Sequence, residues 1–156
     1  MPNLTTRITE AWTSGVTGEA HAFDKTVTIG NVNRYAKFEY IARTSANRTM
    51  IEVDNALSTG TMNAGKIPLA DFKYLRIKNY SSSNACEITI ANNASGTIHS
   101  YTKKLLPLEV FELSNLAMDA HDATPLANGD TNENAQSFYA KGVGANVNLE
   151  MIVAYA

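Results

Sequence analysis

Alternation of apolar and polar residues with a period of two is the feature that most constrains the fold of this 156-residue chain. It is clearest in residues 146–155, NVNLEMIVAY, where one face collects Val147, Leu149, Met151, Val153 and Tyr155. Only an extended strand places every second side chain on the same side, because successive Cβ atoms of a strand point to opposite faces. The sequence therefore predicts a β-strand here with one apolar face turned to a core.

The same alternation recurs along the chain, whereas helical periodicity is nearly absent. Further strands are predicted at residues 26–31, 35–43, 48–54, 73–78, 86–90, 98–103, 109–113 and 137–141. Residues 69–72 and 116–121 suit a single helical turn each. Short strands with polar outer faces and turn-rich connections are typical of antiparallel sheets. The prediction is an all-β, antiparallel, jelly-roll-like sandwich of about eight strands.

One segment contains two of these strands and their connection. Residues 72–93 read FKYLRIKNYSSSNACEITIANN. A shared core is predicted for Leu75, Ile77, Cys86, Ile88 and Ile90, and residues 80–84 are expected to form the turn of a hairpin-like element. Cys86 is the only cysteine, so no intrachain disulfide can form. Its strand setting indicates a small buried apolar group rather than a reactive thiol.

Two segments do not follow the alternation. Residues 1–23 are predicted to form an irregular N-terminal arm that precedes a single sandwich domain of residues 24–156. The arm contains Trp12, the only tryptophan, which a disordered tail rarely carries. Two interpretations stay open: the arm docks on a neighbouring subunit through Trp12, or it packs over its own domain. The second segment, residues 119–136, is a polar loop longer than most connections.

Charge and hydropathy exclude some classes of partner. The formal net charge is −2 and the isoelectric point is about 5.9, whereas nucleic-acid-binding domains are usually basic. No apolar run approaches the roughly 18 residues that span a bilayer, and the first residues lack the features of a signal peptide. We expect no nucleic-acid or membrane partner, and synthesis in a reducing cytoplasm.

Residues suited to chemistry are few and scattered. No nucleophile motif surrounds the serines, and the glycine pair at 142 and 144 lacks the rest of a dinucleotide-binding loop. Asp119, His121 and Asp122 are residue types that bind metals, but they form no complete ligand set. Residues 130–134 have the oxygen spacing of a calcium loop, yet Lys141 stands where its bidentate glutamate belongs. The expectation is no enzymatic activity, no cofactor and no metal.

Residues 72–113 contain a recurring arrangement of strands and turns. A strand ends in Arg76, Ile77 and Asn79, and a polar turn and a second strand follow it. A further turn then carries Lys104, Leu105, Pro107 and Glu109 and leads into a third strand. This arrangement resembles a cassette in small β-sandwich structural proteins of tailed bacteriophages. Leu108 stands where that cassette usually has glycine.

The resemblance implies a bacteriophage virion protein, synthesised in the host cytoplasm. The expected function is that of a capsid decoration (cement) protein, which binds and stabilises the shell of major capsid protein. A homo-oligomer is implied, with a trimer favoured. Alternatives are a tail, collar or fibre-associated module, and a carbohydrate-binding module that uses exposed tyrosines. The residues predicted to contact partners are Arg7, Ile8 and Trp12 in the arm and His121, Asp122 and Asp130 in the long loop.

Overall fold

A computed structural model describes residues 2–13, 20–54, 66–94, 97–114 and 137–156. In these ranges the chain forms eleven strands and one turn of 3-10 helix, Leu69–Asp71. The strands are β1 (Leu4–Thr13), β2 (Ala20–Ile29), β3 (Arg34–Ala42), β4 (Arg48–Asp54), β5 (Lys66–Pro68), β6 (Phe72–Asn79), β7 (Cys86–Ala94), β8 (Thr97–Leu105), β9 (Val110–Leu113), β10 (Ser137–Gly142) and β11 (Val147–Tyr155). The described part of the chain has no helix of the length and hydropathy needed to cross a membrane.

Nine of the strands form two sheets. One sheet has the order β5-β4-β10-β7-β8 and the other the order β3-β11-β6-β9. All pairs are antiparallel except β4 with β5. The strands pair as they would in one long hairpin that has been folded over. Its successive pairs are β3–β11, β4–β10, β6–β9 and β7–β8, and they lie alternately in the four-stranded and the five-stranded sheet. This arrangement is that of a jelly roll, with β5 added at one edge. The all-β sandwich prediction is confirmed.

The core lies between the two sheets and is filled by every second residue of the strands. Phe138 and Ile88 are inaccessible to solvent, and the alternating apolar residues of β11 are all buried. The predicted shared core of Leu75, Ile77, Cys86, Ile88 and Ile90 is confirmed, since all five belong to one buried cluster. Ala36, Phe38 and Tyr40 of β3 are partly buried against it, as their alternation predicts.

The prediction of a hairpin-like element at residues 72–93 is wrong. β6 lies in the four-stranded sheet and β7 in the five-stranded sheet, so residues 80–84 cross from one sheet to the other. Alternation shows which face of a strand is buried, but two strands that face the same core from opposite sheets have the same pattern as two neighbours in one sheet. The sequence pattern could not distinguish these arrangements.

A buried asparagine holds this crossover. The Asn79 side chain, at the end of β6, is inaccessible to solvent. Its Nδ2 donates to the carbonyl oxygens of Asn84 at 2.9 Å, Leu106 at 3.0 Å and Leu105 at 3.4 Å. Its Oδ1 accepts the N–H of Ser81 at 2.8 Å. Because β6 and β8 belong to different sheets, this one side chain connects the two sheets through the β6–β7 and β8–β9 connections.

The turn between β8 and β9 contains an unusual backbone conformation. Leu108 has φ of 62°, in the left-handed region that favours glycine, and its side chain is 58% exposed. Glu109 fixes the turn: its Oε2 accepts the N–H of Leu106 at 2.7 Å and its Oε1 lies 3.0 Å from Lys103 Nζ. The residue that departs from the glycine of the phage cassette therefore occupies a position where glycine is conformationally preferred.

The prediction of an irregular N-terminal arm, residues 1–23, is also wrong. β1 and β2 form a two-stranded antiparallel ribbon in continuous register from Leu4 opposite Ile29 to Thr13 opposite Ala20. The ribbon runs past the predicted boundary at residue 23, because β2 continues to Ile29. Thr6 and Glu10 interrupt the apolar residues of β1, so the period of two was not visible in the sequence.

The base of the ribbon is attached to the sandwich. Val32 N–H donates to the Pro2 carbonyl at 3.0 Å, and Asn33 N–H donates to the Tyr155 carbonyl at 3.0 Å. Beside them, a second apolar cluster contains Val32, Tyr74 and Ala154 with Leu4 and Ile29. This cluster connects the first residues of the ribbon to the outer face of the four-stranded sheet.

We predict that Asn79→Ala lowers the free energy of unfolding by about 2–4 kcal/mol, because the truncation removes the donor of one buried and two partly buried carbonyl groups and the acceptor of the Ser81 N–H. Urea denaturation measures the change. Ser83→Ala in the same crossover removes only an exposed hydroxyl and is expected to stay within about 0.5 kcal/mol of the wild type. Equal stabilities of the two variants would contradict the role given to Asn79.

Leu108→Gly is predicted to raise the free energy of unfolding by up to about 1 kcal/mol. Relief of the left-handed conformation, which costs an L-residue about 1–2 kcal/mol, exceeds the entropy that glycine adds to the unfolded chain, about 0.5–1 kcal/mol. Asn31 has φ of 60° and provides the control, since asparagine tolerates this region and Asn31→Gly should gain less. Thermal unfolding of the two variants, compared side by side, tests the difference.

Candidate interaction surface

The outer face of the four-stranded sheet contains a network of charged side chains. Register places Lys37 of β3, Glu150 of β11 and Arg76 of β6 on this face. Glu150 Oε2 lies 2.5 Å from Lys37 Nζ, and Glu150 Oε1 accepts from Arg76 Nη1 at 3.1 Å. The Tyr80 hydroxyl donates to Glu150 Oε2 at 3.0 Å. Glu150 is thereby only 6% exposed although it lies on an outer sheet face.

These contacts change the acidity of the groups involved. The Lys37 ammonium, with smaller contributions from Tyr80 and Arg76, holds the pKa of Glu150 below its ordinary value, against the opposing effect of burial. Because Glu150 accepts the hydrogen bond of the Tyr80 hydroxyl, it raises the pKa of that hydroxyl. The network is thus in its charged form at neutral pH, and its members bond to one another.

An apolar row crosses the end of the same face. Its members, Ile41, Tyr80, Leu108 and Val110, are each 37–58% exposed. Ile41 is opposite Asn148 in the register, and the Asn148 carbonyl accepts the N–H of Tyr80 at 3.0 Å. On the other side Val110 is opposite Lys78, whose Nζ lies 4.8 Å from the centre of the Tyr80 ring.

Leu108 completes the apolar row, since its N–H donates to the Ser81 carbonyl at 3.1 Å, directly after Tyr80. A half-open groove of about 570 Å³ lies between Ile41 and Tyr80, with Glu39, Tyr40, Asn148 and Leu149 as its other lining residues. These exposed apolar side chains come from β3 and from the ends of β6 and β9, with Asn148 of β11 between Ile41 and the others, and together they make a surface suited to contact with another macromolecule.

Thr89 and Thr102 pair through their hydroxyls at 2.9 Å on the outer face of the five-stranded sheet. Cys86 points into the core, and burial raises the pKa of its thiol to about 11, so it is protonated at neutral pH and unsuited to nucleophilic chemistry. Among the described residues, no three His, Cys, Asp or Glu side chains come together as metal ligands.

The tyrosines do not form one platform. Tyr35 and Tyr74 lie on the outer face of the four-stranded sheet, and Tyr74 is buried beneath the base of the ribbon. Tyr139 lies in β10 and Tyr101 in β8, both in the other sheet. A carbohydrate-binding module needs several aromatic rings on one surface, so this distribution offers no support to that alternative.

Of the six residues predicted to contact partners, Arg7 is the one whose side chain the structure describes. Arg7 lies in β1 and pairs with Asp24 of β2, with its Nε 2.8 Å from Asp24 Oδ1. This pair holds the pKa of Asp24 below its ordinary value and links the two strands of the ribbon on an exposed face. Ile8 and Trp12 belong to β1, where the backbone alone is described. The long-loop residues His121, Asp122 and Asp130 lie outside the described residues.

Sequence reasoning did not select the apolar row. One signal was present: Ile41 stands on the polar face of its strand, beside Lys37 and Glu39. The contributions of Tyr80 and Leu108 depend on the crossover between sheets, which alternation does not reveal.

Comparison with protein-family models, curated proteins and solved structures gave no match to this chain.

Glu150→Gln is predicted to reduce the sensitivity of the fold to acid. The lowered pKa of Glu150 means that its contribution to stability is complete above its ordinary value of 4.5 and is lost as the pH falls below it. The wild type should therefore lose more stability between pH 6 and pH 3 than Glu150→Gln, as measured by urea unfolding at each pH.

Glu87→Gln, on the outer face of the other sheet, is the matched control and should keep the acid sensitivity of the wild type. If the wild type and Glu150→Gln respond identically to acid, the network does not contribute to stability as described.

Proposed function

We propose that this protein is a non-enzymatic structural component of a bacteriophage virion, a capsid decoration protein that binds and stabilises the shell of major capsid protein. The observation that carries the proposal is the apolar row, together with the charged network beside it. Because Glu150, Lys37 and Arg76 bond to one another, these charged groups are already paired. The exposed apolar side chains gain free energy only when another surface covers them.

The rigidity of the sandwich supports the same function. A protein that clamps neighbouring subunits must hold its contact residues in fixed positions, because flexible contacts lose entropy on binding. Asn79 and Glu109 fix the backbone on both sides of the apolar row through bonds at 2.7–3.4 Å. The resemblance of residues 72–113 to a cassette of phage structural proteins covers the strands and turns that carry Tyr80, Leu108 and Val110.

Purified protein mixed with shells that lack it tests the proposal. We expect binding to the shells in co-sedimentation, and an increase in the temperature at which the shells lose their contents. Neither binding nor a gain in heat resistance would overturn the shell assignment. Binding to isolated tails instead would favour the tail, collar or fibre alternative.

Ile41→Glu is predicted to weaken shell binding about 10-fold or more. Loss of one half-buried apolar contact is worth roughly 1–2 kcal/mol, and the introduced charge adds a desolvation cost. Co-sedimentation over a range of protein concentrations gives the affinity.

Tyr101→Glu is the control for this variant, since Tyr101 is also 54% exposed and lies in an edge strand, but of the other sheet. It should bind as the wild type does. If both variants bind equally well, the apolar row is not the contact surface.

A further inference from the structure

The β1–β2 ribbon has two chemically different faces. In an antiparallel pair, residues directly opposite each other share a face, so positions 4, 6, 8, 10 and 12 of β1 share one with positions 29, 27, 25, 23 and 21 of β2. That face, here named the apolar ribbon face, holds Leu4, Thr6, Ile8, Glu10 and Trp12 with Ile29, Val27, Lys25, Phe23 and His21. The opposite positions hold Thr5, Arg7, Thr9, Ala11 and Thr13 with Thr28, Thr26, Asp24, Ala22 and Ala20.

The sandwich covers the beginning of the apolar ribbon face. Leu4 and Ile29 pack on the cluster of Val32, Tyr74 and Ala154. Thr6 and Val27, the next pair, are half-buried, and Lys25, the next described side chain on this face, is exposed. The cover that the chain gives to its own ribbon therefore decreases between Val27 and Lys25.

A partner on the apolar ribbon face would stabilise the ribbon. Within the described ranges, β1 and β2 pair with each other and belong to neither sheet of the sandwich. A two-stranded ribbon alone in water is marginally stable, and strands with one apolar face are stabilised when that face is covered. The positions beyond Val27 include Ile8, Phe23 and Trp12, the residue types that contribute most to contact surfaces.

The charges on the apolar ribbon face identify the partner. Lys25 is opposite Ile8 and Glu10 is opposite Phe23, so one positive and one negative position occupy adjacent rows in the middle of the face. A two-fold axis that crosses the ribbon between these rows places Lys25 of one copy level with Glu10 of another. The same operation places the row of Trp12 level with the row of Val27.

We propose that the apolar ribbon face packs against the same face of a second copy of this chain, in a two-fold dimer. Such an interface is self-complementary in charge. It accounts for the cation and the anion that lie among the apolar residues of this face. The inference is independent of the shell proposal, because failure to bind shells leaves the mass in solution unchanged.

Sedimentation equilibrium of the full chain tests the dimer. The wild type is expected at twice its 16.9 kDa mass. Glu10→Lys leaves two positive charges on each apolar ribbon face, and Lys25→Glu leaves two negative charges. The dissociation constant of the dimer should therefore rise about 10-fold or more for each variant alone. Mixed in equal amounts, the two variants should form a heterodimer, since a positive face then meets a negative one.

The mixing experiment separates contact between copies from a pair within one ribbon, because only contact between copies is restored by mixing different chains. A reversed pair on the other face, Arg7→Asp with Asp24→Arg, is the control and should remain dimeric. A monomeric wild type, charge variants that associate as the wild type does, or a mixture that stays monomeric would each overturn the proposal.

Discussion

The side-chain amide of Asn79 is the interaction on which the arrangement of this sandwich most depends. A jelly roll requires the chain to pass repeatedly from one sheet to the other, and each passage brings backbone carbonyls to the end of a dry core. At this end, one buried amide donates to carbonyls of both the β6–β7 crossover and the β8–β9 turn and accepts an N–H in return. Without it, the buried Leu105 carbonyl and the partly buried Asn84 and Leu106 carbonyls would lose this donor. The backbone positions of Tyr80 and Leu108, and thus the apolar row, follow from this bond network.

The outer face of the four-stranded sheet has a charged centre and two apolar ends. In the middle of its outer face, Lys37, Arg76 and Tyr80 converge on Glu150, so the charges bond to each other. Toward one end, the base of the ribbon covers Tyr74 and Ala154. Toward the other end, the apolar row stays open. This sheet face thus has a centre whose charged side chains are paired, one end that the base of the ribbon covers, and one end whose apolar side chains are exposed. The proposed shell contact and the proposed dimer contact then use different surfaces, so both can be occupied at once.

The sequence predicted the elements of the sandwich better than their connections. The prediction for residues 48–54 coincides with β4, and the alternating apolar residues of β11 are buried. These succeeded because the period of two is a local property of a strand. The crossover at residues 80–84 was predicted as a turn within one sheet, because strand alternation contains no information about which sheet a strand joins.

The ribbon was not predicted because polar residues at Thr6 and Glu10 break its apolar pattern, and a ribbon outside the main core does not require a continuous apolar face. The apolar row was not predicted because its residues come together only through the crossover.

Leu108 shows how a departure from local rules can indicate function. The described residues include two non-glycine positions with positive φ, Asn31 and Leu108. Asparagine is suited to that conformation, whereas leucine is not, and the exposed leucine side chain also lies in water. Neither the backbone nor the core of the sandwich benefits from a leucine here, and glycine would satisfy the turn with less strain. A residue that is unfavourable for conformation and for solvation in the free protein is understandable when its side chain is covered in an assembly. Leu108 lies beside Tyr80 and Val110, where the proposed shell contact would cover it. Its conformation thus supports the apolar row as the contact surface, by an argument separate from exposure alone.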